Sequence, residues 1–259
     1  MSSKQLWLEA MYPRVRSWLP AAPSVVVELG CGSAGGFVPA LLSDGFQAVG
    51  IDPEAPEGAG YRRIEFERSE LPDDVDAVVA SVSLHHVADT GKVLDRVAAA
   101  LKPGGTVVVI EWDWESFDEP SARWGFERLD WEAEDRGWLH RGHEHWVASG
   151  QPWEEYLRGW ATGHGLHSAR ALVEGLDERF ERVSCERGAY LFPELAHTTE
   201  DDELQAIESG LVRALRIDYV GVIRRRPRLE DDQLAEAKPV DLEGVATRRA
   251  DPGRARIGG

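Results

Sequence analysis

The sequence predicts an α/β protein built on a doubly wound, mostly parallel sheet. Short apolar runs alternate with helical patterns through the first half of the chain, which is typical of parallel strands joined by crossover helices. A glycine-rich turn follows the first apolar run and leads into a helical pattern. With 259 residues, 42% of them hydrophobic and 29% charged, the chain is long enough for one large α/β domain with a buried core.

Five apolar runs predict the first strands of the sheet. They cover residues 24–29, 47–52, 61–66, 75–81 and 106–110. Before the fifth strand, Val93, Leu94, Val97 and Leu101 recur at helical spacing, which predicts a crossover helix. Residues 103–105, Pro-Gly-Gly, should end that helix and return the chain to the sheet.

The second half of the chain predicts an insert, two further strands and a tail. Residues 112–165 interrupt the alternation of strands and helices. Beyond this insert we expect a helix over 169–176, a strand over 180–192, a helix over 201–215 and a last strand over 217–223. Because the apolar periodicity fades after Pro227, residues 227–259 are predicted to be a disordered tail on a domain of residues 1–226.

Tryptophan is concentrated in the insert. Eight of the ten tryptophans lie there, in two runs at heptad spacing, 124–131–138 and 146–153–160. Trp153, Tyr156, Leu157 and Trp160 form a full i, i+3, i+4, i+7 stripe, which predicts a helix with one apolar face. Such stripes usually pack in a core. The insert also follows the carboxyl end of a central strand, where open α/β sheets bind ligands, so a lid that covers the substrate is the alternative.

Charge and composition limit the partners. The formal net charge of −17 argues against nucleic acids, whose binders cluster Lys and Arg against phosphates. No apolar run approaches the roughly 20 residues that span a bilayer, and the first residues lack the apolar core of a secretory signal. Only two cysteines, Cys31 and Cys185, are present. We therefore expect a cytoplasmic protein without a membrane or nucleic-acid partner; its oligomeric state stays open.

Ten acidic residues lie between positions 111 and 135. Charge runs of this kind usually form a solvated helix face. A funnel that attracts a cationic substrate is the alternative interpretation.

The strongest motif joins the first strand to its helix. Glu28-Leu-Gly30-Cys-Gly32 continues to Gly35, and the second strand ends about 20 residues later at Asp52. Glycines allow a sharp turn and let a ligand approach the backbone, and a carboxylate in the place of Asp52 can accept hydrogen bonds from two ribose hydroxyls. Gly-x-Gly-x-x-Gly alone also satisfies the dinucleotide fingerprint, and a purely structural turn is a third possibility.

These residues resemble the first motif of the class I S-adenosylmethionine-dependent methyltransferases. Nicotinamide enzymes usually keep an apolar residue in the place of Glu28, because a carboxylate there would repel the pyrophosphate. Further similar segments follow in the family's order. They are residues 49–52, 67–72, 78–87, 101–106 and 216–221. The resemblance implies a Rossmann-like, seven-stranded sheet whose last strand is antiparallel.

The resemblance also implies which residues bind S-adenosylmethionine. The implied contacts are Glu28, Gly30, Gly32, Asp52, Glu67, Arg68 and Ser81. Among them, Asp52 would hold the ribose and Glu67 the adenine amino group, although Glu65 is an alternative for the adenine contact. Residues 112–175 match no family segment, so we expect them to select the substrate.

Histidines supply the candidate catalytic groups. His85 and His86 end the fourth predicted strand; we expect His85 to play a structural part, whereas His86 is balanced between a local structural role and contact with cofactor or substrate. His140, His143 and His145 form a second cluster, in which a general base toward a hydroxyl or amine is one interpretation and ordinary helix-end histidines the other. The spacing is too tight for most zinc sites, so no metal is expected.

The motifs together predict transfer of a methyl group to an oxygen or nitrogen atom of a small molecule. The chain would act mainly by aligning the nucleophile, the methyl carbon and the leaving sulfur. A non-catalytic relative that keeps the cofactor fold, a cofactor-bound cyclase or decarboxylase, and a nicotinamide-dependent reductase are the rival interpretations.

Overall fold

The computed structural model describes residues 2–133 and 136–223. Its strands are β1 (Val25–Leu29), β2 (Gln47–Ile51), β3 (Tyr61–Arg62), β4 (Val75–Ser81), β5 (Leu101–Trp112), β6 (Phe180–Gly188) and β7 (Arg216–Ile223). They form one seven-stranded sheet in the order β3-β2-β1-β4-β5-β7-β6. Neighbouring strands from β3 to β5 are parallel, whereas β7 runs antiparallel to both β5 and β6. The predicted sheet, including its antiparallel last strand, is confirmed.

Helices cover both faces of this sheet. They are α1 (Ser3–Trp18), α2 (Val38–Ser43), α3 (Thr90–Ala100), α4 (Glu119–Phe126), α5 (Trp138–Ser149), α6 (Trp153–Gly163), α7 (Ala169–Arg179) and α8 (Glu200–Glu208). None of the helices in the described ranges is long and apolar enough to cross a membrane.

The central strands are apolar on both sides because each face packs against a helical layer. On β1, Val27 and Leu29 join a cluster with α3 and α7, while Val26 joins a second cluster with α1 and α2. Because side chains alternate along a strand, a nearly continuous apolar run is needed to fill both cores. The sheet order reverses between β1 and β4, so the carboxyl ends of these two strands form the crevice in which doubly wound folds bind ligands.

Several predicted boundaries were wrong. Strand β3 at the sheet edge holds two residues rather than the predicted 61–66, and β6 ends at Gly188 rather than at 192. Helix α8 ends at Glu208 rather than at 215, because Gly210 has a positive φ of 76° and turns the chain away. Residues 103–105 form a bulge within β5, where the register against β4 shifts.

Helix α1 was not predicted. It carries Pro13 in its interior and mixes polar and apolar residues, so its periodicity is weak. Met11 and Val15 are nonetheless completely buried against the sheet, so tertiary packing stabilises this helix. The predicted tail, residues 227–259, lies outside the described residues.

The insert builds its own hydrophobic cluster from α4, α5 and α6. The stripe that starts at Trp153 forms α6 as predicted, but the two heptad runs are not continuous helices. Trp131 lies in a turn between α4 and α5, and Trp146 and Trp153 belong to different helices. Trp112 and Trp153 are buried in this cluster, and five further tryptophans are partly buried against it.

Candidate active site

The glycine turn lies at the carboxyl end of β1. Gly30 has a φ of 86°, and its N–H donates to the carbonyl of Ile51 at 2.8 Å. A Cβ at Gly30 would clash with the side chain of Ser83, which follows β4. Glycine is therefore required here both by the left-handed backbone and by the close approach of the two strand ends.

Glu28 anchors the same turn from below. Its carboxylate is 98% buried and accepts a hydrogen bond from the N–H of Phe37 at 2.8 Å, at the start of α2. Burial raises the pKa of Glu28 to about 8, although hydrogen bonds from the N–H groups of Phe37 and Val38 act in the opposite direction. A side chain at Gly36 would collide with this carboxylate. The predicted cofactor residue Glu28 thus also orders the loop.

Five of the predicted cofactor residues line one large cavity of about 690 Å³ at this crevice. They are Gly30, Gly32, Asp52, Glu67 and Arg68. Oδ1 of Asp52 accepts the N–H of Glu54 at 2.7 Å. Glu67 accepts the N–H of Ala88 at 3.0 Å, which joins the wall after β3 to the segment after β4. Arg68 is exposed and pairs with Glu65, which lines the same cavity.

The other two predicted residues, Glu28 and Ser81, line a small cavity of about 280 Å³ beside the glycine turn. The indole Nε1 of Trp7 donates to Oγ of Ser81 at 3.0 Å. Lys4 lines both the small and the large cavity, so α1 closes the crevice from one side. Lys4 and Trp7 were missed in the sequence because the helix that carries them was not predicted.

A third cavity of about 440 Å³ lies under the insert, and we call it the aromatic cavity. Seven aromatic residues line it, namely Trp112, Phe117, Trp138, Trp153, Tyr156, Trp160 and Tyr190. The rings of Trp112 and Tyr190 stack with centroids 5.8 Å apart and planes 6° apart. Tryptophans of the insert therefore pack with one another and also line a cavity at the ligand-binding edge, whereas a lid that covers the substrate stays a prediction.

The predicted catalytic histidines separate in space. His86 and His145 line the aromatic cavity, and His86 also lines the large cavity. His140 and His143 line none of the cavities described here. His140 is buried with its Nε2 2.9 Å from the carbonyl oxygen of Asp130, and the ring of His143 packs edge-on against Phe126 and Trp131.

Val82 lies where the three cavities meet. This β-branched residue follows β4 with a φ of 51°, a backbone conformation that costs energy for such a side chain. It lines the large, the small and the aromatic cavity. Its N–H donates to the carbonyl of Ile110 at 2.7 Å, which holds the strained residue in place. The large and aromatic cavities thus adjoin at Val82 and His86.

A buried carboxylate–imidazole pair supports the turn beside Val82. Glu111 accepts the N–H groups of Ser83 and Leu84 at 2.9 and 2.6 Å, and its Oε2 lies 2.5 Å from Nδ1 of His85. Burial alone would raise the pKa of Glu111, but the electrostatic interaction with His85 and these hydrogen bonds outweigh it and lower the pKa. His85 is 97% buried and lines the aromatic cavity.

The acidic run does not line the aromatic cavity within the described residues. Glu111 binds His85, Asp113 pairs with Arg187, and Asp118 caps α4. Residues 111–133 therefore give no support to a funnel that attracts a cationic substrate. Across residues 2–133 and 136–223, no group of three His, Cys, Asp or Glu side chains is arranged to hold a metal ion.

The residues at the crevice fit S-adenosylmethionine. The large cavity offers the Asp52 carboxylate to a ribose diol and the ring of Phe66 to a purine. The small cavity places the Lys4 ammonium and the Glu28 carboxyl group together, so the ammonium can face the carboxylate of an amino-acid group and a carboxyl oxygen can accept a hydrogen bond from its ammonium. Burial, followed by the neighbouring His85, lowers the pKa of His86. A neutral imidazole is therefore favoured where the large and the aromatic cavity adjoin.

Comparison with known proteins gives the family. The family model described as a methyltransferase domain matches residues 8–177, more than half of the chain. The ubiquinone biosynthesis O-methyltransferase of Bradyrhizobium sp. (strain ORS 278) is 35% identical over 107 residues, 36% of this chain and 42% of that protein. The 2-ketoarginine methyltransferase of Streptomyces arginensis is 34% identical over 125 residues, 41% and 37% of the two chains. The match thus spans about two fifths of the length of these curated relatives.

Solved structures share the fold. An S-adenosylmethionine-dependent methyltransferase from Mesorhizobium loti aligns over 83% of this chain and 99% of its own, with a TM-score of 0.53 and 22% identity. The geranyl diphosphate C-methyltransferase of Streptomyces coelicolor A3(2), solved with S-adenosyl-L-homocysteine, aligns over 83% and 76% with a TM-score of 0.50 and 14% identity. Together with the family match and the motifs at the crevice, these results show that the chain belongs to the methyltransferase domain family, among the class I S-adenosylmethionine-dependent methyltransferases.

Proposed function

We propose that this protein transfers the methyl group of S-adenosylmethionine to an oxygen or nitrogen atom of a small planar molecule bound in the aromatic cavity. One observation carries the proposal: the large cavity and the aromatic cavity share Val82 and His86 at the end of β4. A donor in the first cavity and an acceptor in the second would therefore face each other across these two residues.

The cofactor residues have separate tasks in this proposal. Asp52 binds the ribose diol, Glu67 and Phe66 hold the adenine ring, and Lys4 with Glu28 faces the methionine end. When bound, S-adenosylmethionine supplies an electrophilic methyl group on its sulfonium. The strained turn at Val82 and the ring of His86 fix the boundary between donor and acceptor, which is the alignment on which the rate of an in-line transfer depends.

The aromatic cavity selects a planar acceptor. Seven indole, phenyl and phenol rings line it, beside four imidazoles and Arg141, and such rings pack against flat apolar molecules by stacked or edge-on contacts. A volume of about 440 Å³ suits a molecule of one or two rings, well below the size of a macromolecule. The enclosing helices also exclude water from the transfer. The free thiols of Cys31 and Cys185 suit a reducing compartment, so we also propose a cytoplasmic location.

Transfer of radiolabelled methyl from S-adenosylmethionine to a panel of planar compounds tests the proposal. The panel should contain catechol, 4-aminobenzoate and indole, with glycine and cyclohexanol as non-planar controls. We expect labelled product from at least one planar compound and none from the controls. Labelling of the non-planar controls alone would contradict the proposal.

A second candidate is a binding protein that keeps the cofactor site without turnover, because fold does not fix chemistry. The connected cavities favour catalysis over this alternative. Cofactor binding without methylation of any compound in the panel would favour the binding protein.

A further inference from the structure

We propose that His85, held by Glu111, is the general base that removes the proton from a hydroxyl acceptor in the aromatic cavity. This inference rests on the proposed function and adds a catalytic group to it. Sequence reasoning favoured a structural part for His85, because a histidine at a strand end is more often a local hydrogen-bonding group than a base.

The geometry of the pair is that of a carboxylate that orients an imidazole. Oε2 of Glu111 lies 2.5 Å from Nδ1 of His85, so the proton on Nδ1 is directed to the carboxylate and Nε2 is left as the acceptor. Oε1 of Glu111 accepts both backbone N–H groups of the turn, from Ser83 and Leu84. The carbonyl of His85 accepts the N–H of His167 at 3.0 Å, which fixes the turn from its other side.

Burial makes a purely structural explanation costly. Both side chains of the pair are at most 4% exposed. Removing a carboxylate such as that of Glu111 from water costs several kcal/mol in proteins, by the usual order of magnitude, and apolar residues of similar size would often stabilise such a site equally well. Perturbed ionisable pairs in clefts are frequent at functional sites for this reason.

His85 is also distinguished from the other histidines of the aromatic cavity. His86, His145 and His164 line the same cavity, but among residues 2–133 and 136–223 only His85 contacts a carboxylate through its ring. No carboxylate among the described residues lines this cavity. The hydroxyl proton of a methyl acceptor bound there would therefore pass to an imidazole. His85 is the imidazole whose positive charge Glu111 would stabilise.

Removal of the proton accompanies attack on the methyl group. Nε2 of His85 takes the proton of the acceptor hydroxyl, and a lone pair of the oxygen forms the bond to the methyl carbon. The carbon–sulfur bond breaks and its electron pair stays on the sulfur, which becomes a neutral thioether. The imidazolium is stabilised by Glu111 until it returns the proton to water after product release.

The methylation rates of two acceptors distinguish a general base at position 85 from a structural group. Catechol is protonated near neutral pH, whereas 4-nitrocatechol is largely ionised and does not need a base. We expect His85→Gln to slow methylation of catechol by about 10²–10⁴-fold, the usual contribution of a general base, and that of 4-nitrocatechol by less than about tenfold. Glu111→Gln should show the same contrast, because Glu111 positions His85. Cofactor affinity, measured by calorimetry, should be unchanged in both variants.

Folding needs its own control, because removing one partner of a buried pair destabilises a protein. The double variant His85→Gln/Glu111→Gln leaves no buried charge and should show the same contrast as His85→Gln. His197→Asn is the matched histidine control, since His197 is exposed with a φ of 52° that asparagine tolerates. Its rates should equal those of the wild type.

The outcomes are distinct. Equal losses with both catechols in the folded double variant would overturn the base role, as would full activity of His85→Gln, or a selective loss in His86→Gln alone. If the wild-type protein methylates neither catechol nor its nitro derivative, the proposed hydroxyl chemistry fails first and the base role fails with it.

Discussion

At the scale of single residues, the cofactor site depends on a few side chains at the ends of strands. Asp52 follows β2 and is the carboxylate placed for the ribose diol. Asp52→Ala should weaken binding of S-adenosylhomocysteine by about 1–3 kcal/mol, the usual cost of removing a charged hydrogen-bond partner. Calorimetry measures this difference. Asp73→Ala, an exposed residue outside the three cavities, is the control; equal affinities for wild type and Asp52→Ala would show that the ribose is held elsewhere.

Glu28 gives a prediction about pH. Its pKa rises from the ordinary 4.5 to about 8 on folding, so between these values the folded state keeps a proton that the unfolded state has released. The free energy of unfolding should therefore fall as pH increases across this window, by at most about 1.4 kcal/mol per pH unit from this group.

Glu28→Gln should flatten that part of the pH profile, because the amide has no proton to lose. Denaturant titrations at several pH values between about 5 and 8 measure the slope, with the folded-state hydrogen bond from Phe37 retained by the amide oxygen. Glu57→Gln, at an exposed position, should keep the wild-type slope. A variant profile that parallels the wild type would mean that Glu28 is ionised in the folded protein at neutral pH.

The position of a residue at the crevice could be predicted only where the residue is close in sequence to the strand that carries it. The turn from Glu28 to Gly32 and the carboxylate of Asp52 are close to their strands in sequence, so the motif alone placed them. Lys4 and Trp7 reach the same crevice from α1, and Glu111 reaches His85 across 26 residues. Such contacts depend on how elements pack, which no local pattern contains.

At the scale of elements, the strands of the sheet were predictable and their ends were less so. Apolar runs in β1 and β4 are imposed by burial on both faces. Strand β3 lies at the edge of the sheet and pairs with β2 over two residues only. Burial on both faces does not determine its ends, so its length was predicted wrongly. In the insert, the stripe from Trp153 to Trp160 predicted α6, whereas tertiary packing rather than one continuous helix brings the rings of each heptad run together.

The insert contains residues that pack in its core and residues that line the aromatic cavity. Substitutions should affect stability in the first group and acceptor binding in the second. Leu139 on α5 is completely buried and lines none of the cavities described here, so Leu139→Ala should lower the free energy of unfolding by about 2–5 kcal/mol and keep acceptor affinity in the folded fraction. Trp160 on α6 is partly buried and lines the aromatic cavity, so Trp160→Ala should weaken acceptor binding first.

Thermal melts and acceptor titrations by tryptophan fluorescence measure the two effects. Val147→Ala, 61% exposed on α5, is the control and should change neither. If Trp160→Ala costs as much stability as Leu139→Ala while acceptor affinity is unchanged, the insert is core packing rather than a substrate-binding cover.

At the scale of the whole molecule, the strand order explains where the site is. The reversal between β1 and β4 opens the crevice, α1 closes it on one side, and the insert encloses the other. The net charge of −17 comes from 46 acidic against 29 basic residues, and none of the carboxylates in the described ranges lines the aromatic cavity. Acidic composition therefore did not predict the chemistry of the cavity, and the exclusion of nucleic acid stays a prediction.

Calorimetric titration of the wild-type protein with S-adenosylhomocysteine, and in parallel with NADH, tests whether the crevice binds the methyl donor. We expect saturable binding of S-adenosylhomocysteine at one site per chain, lost or weakened in Asp52→Ala, and no comparable binding of NADH. Saturable binding of NADH with none of S-adenosylhomocysteine would contradict it.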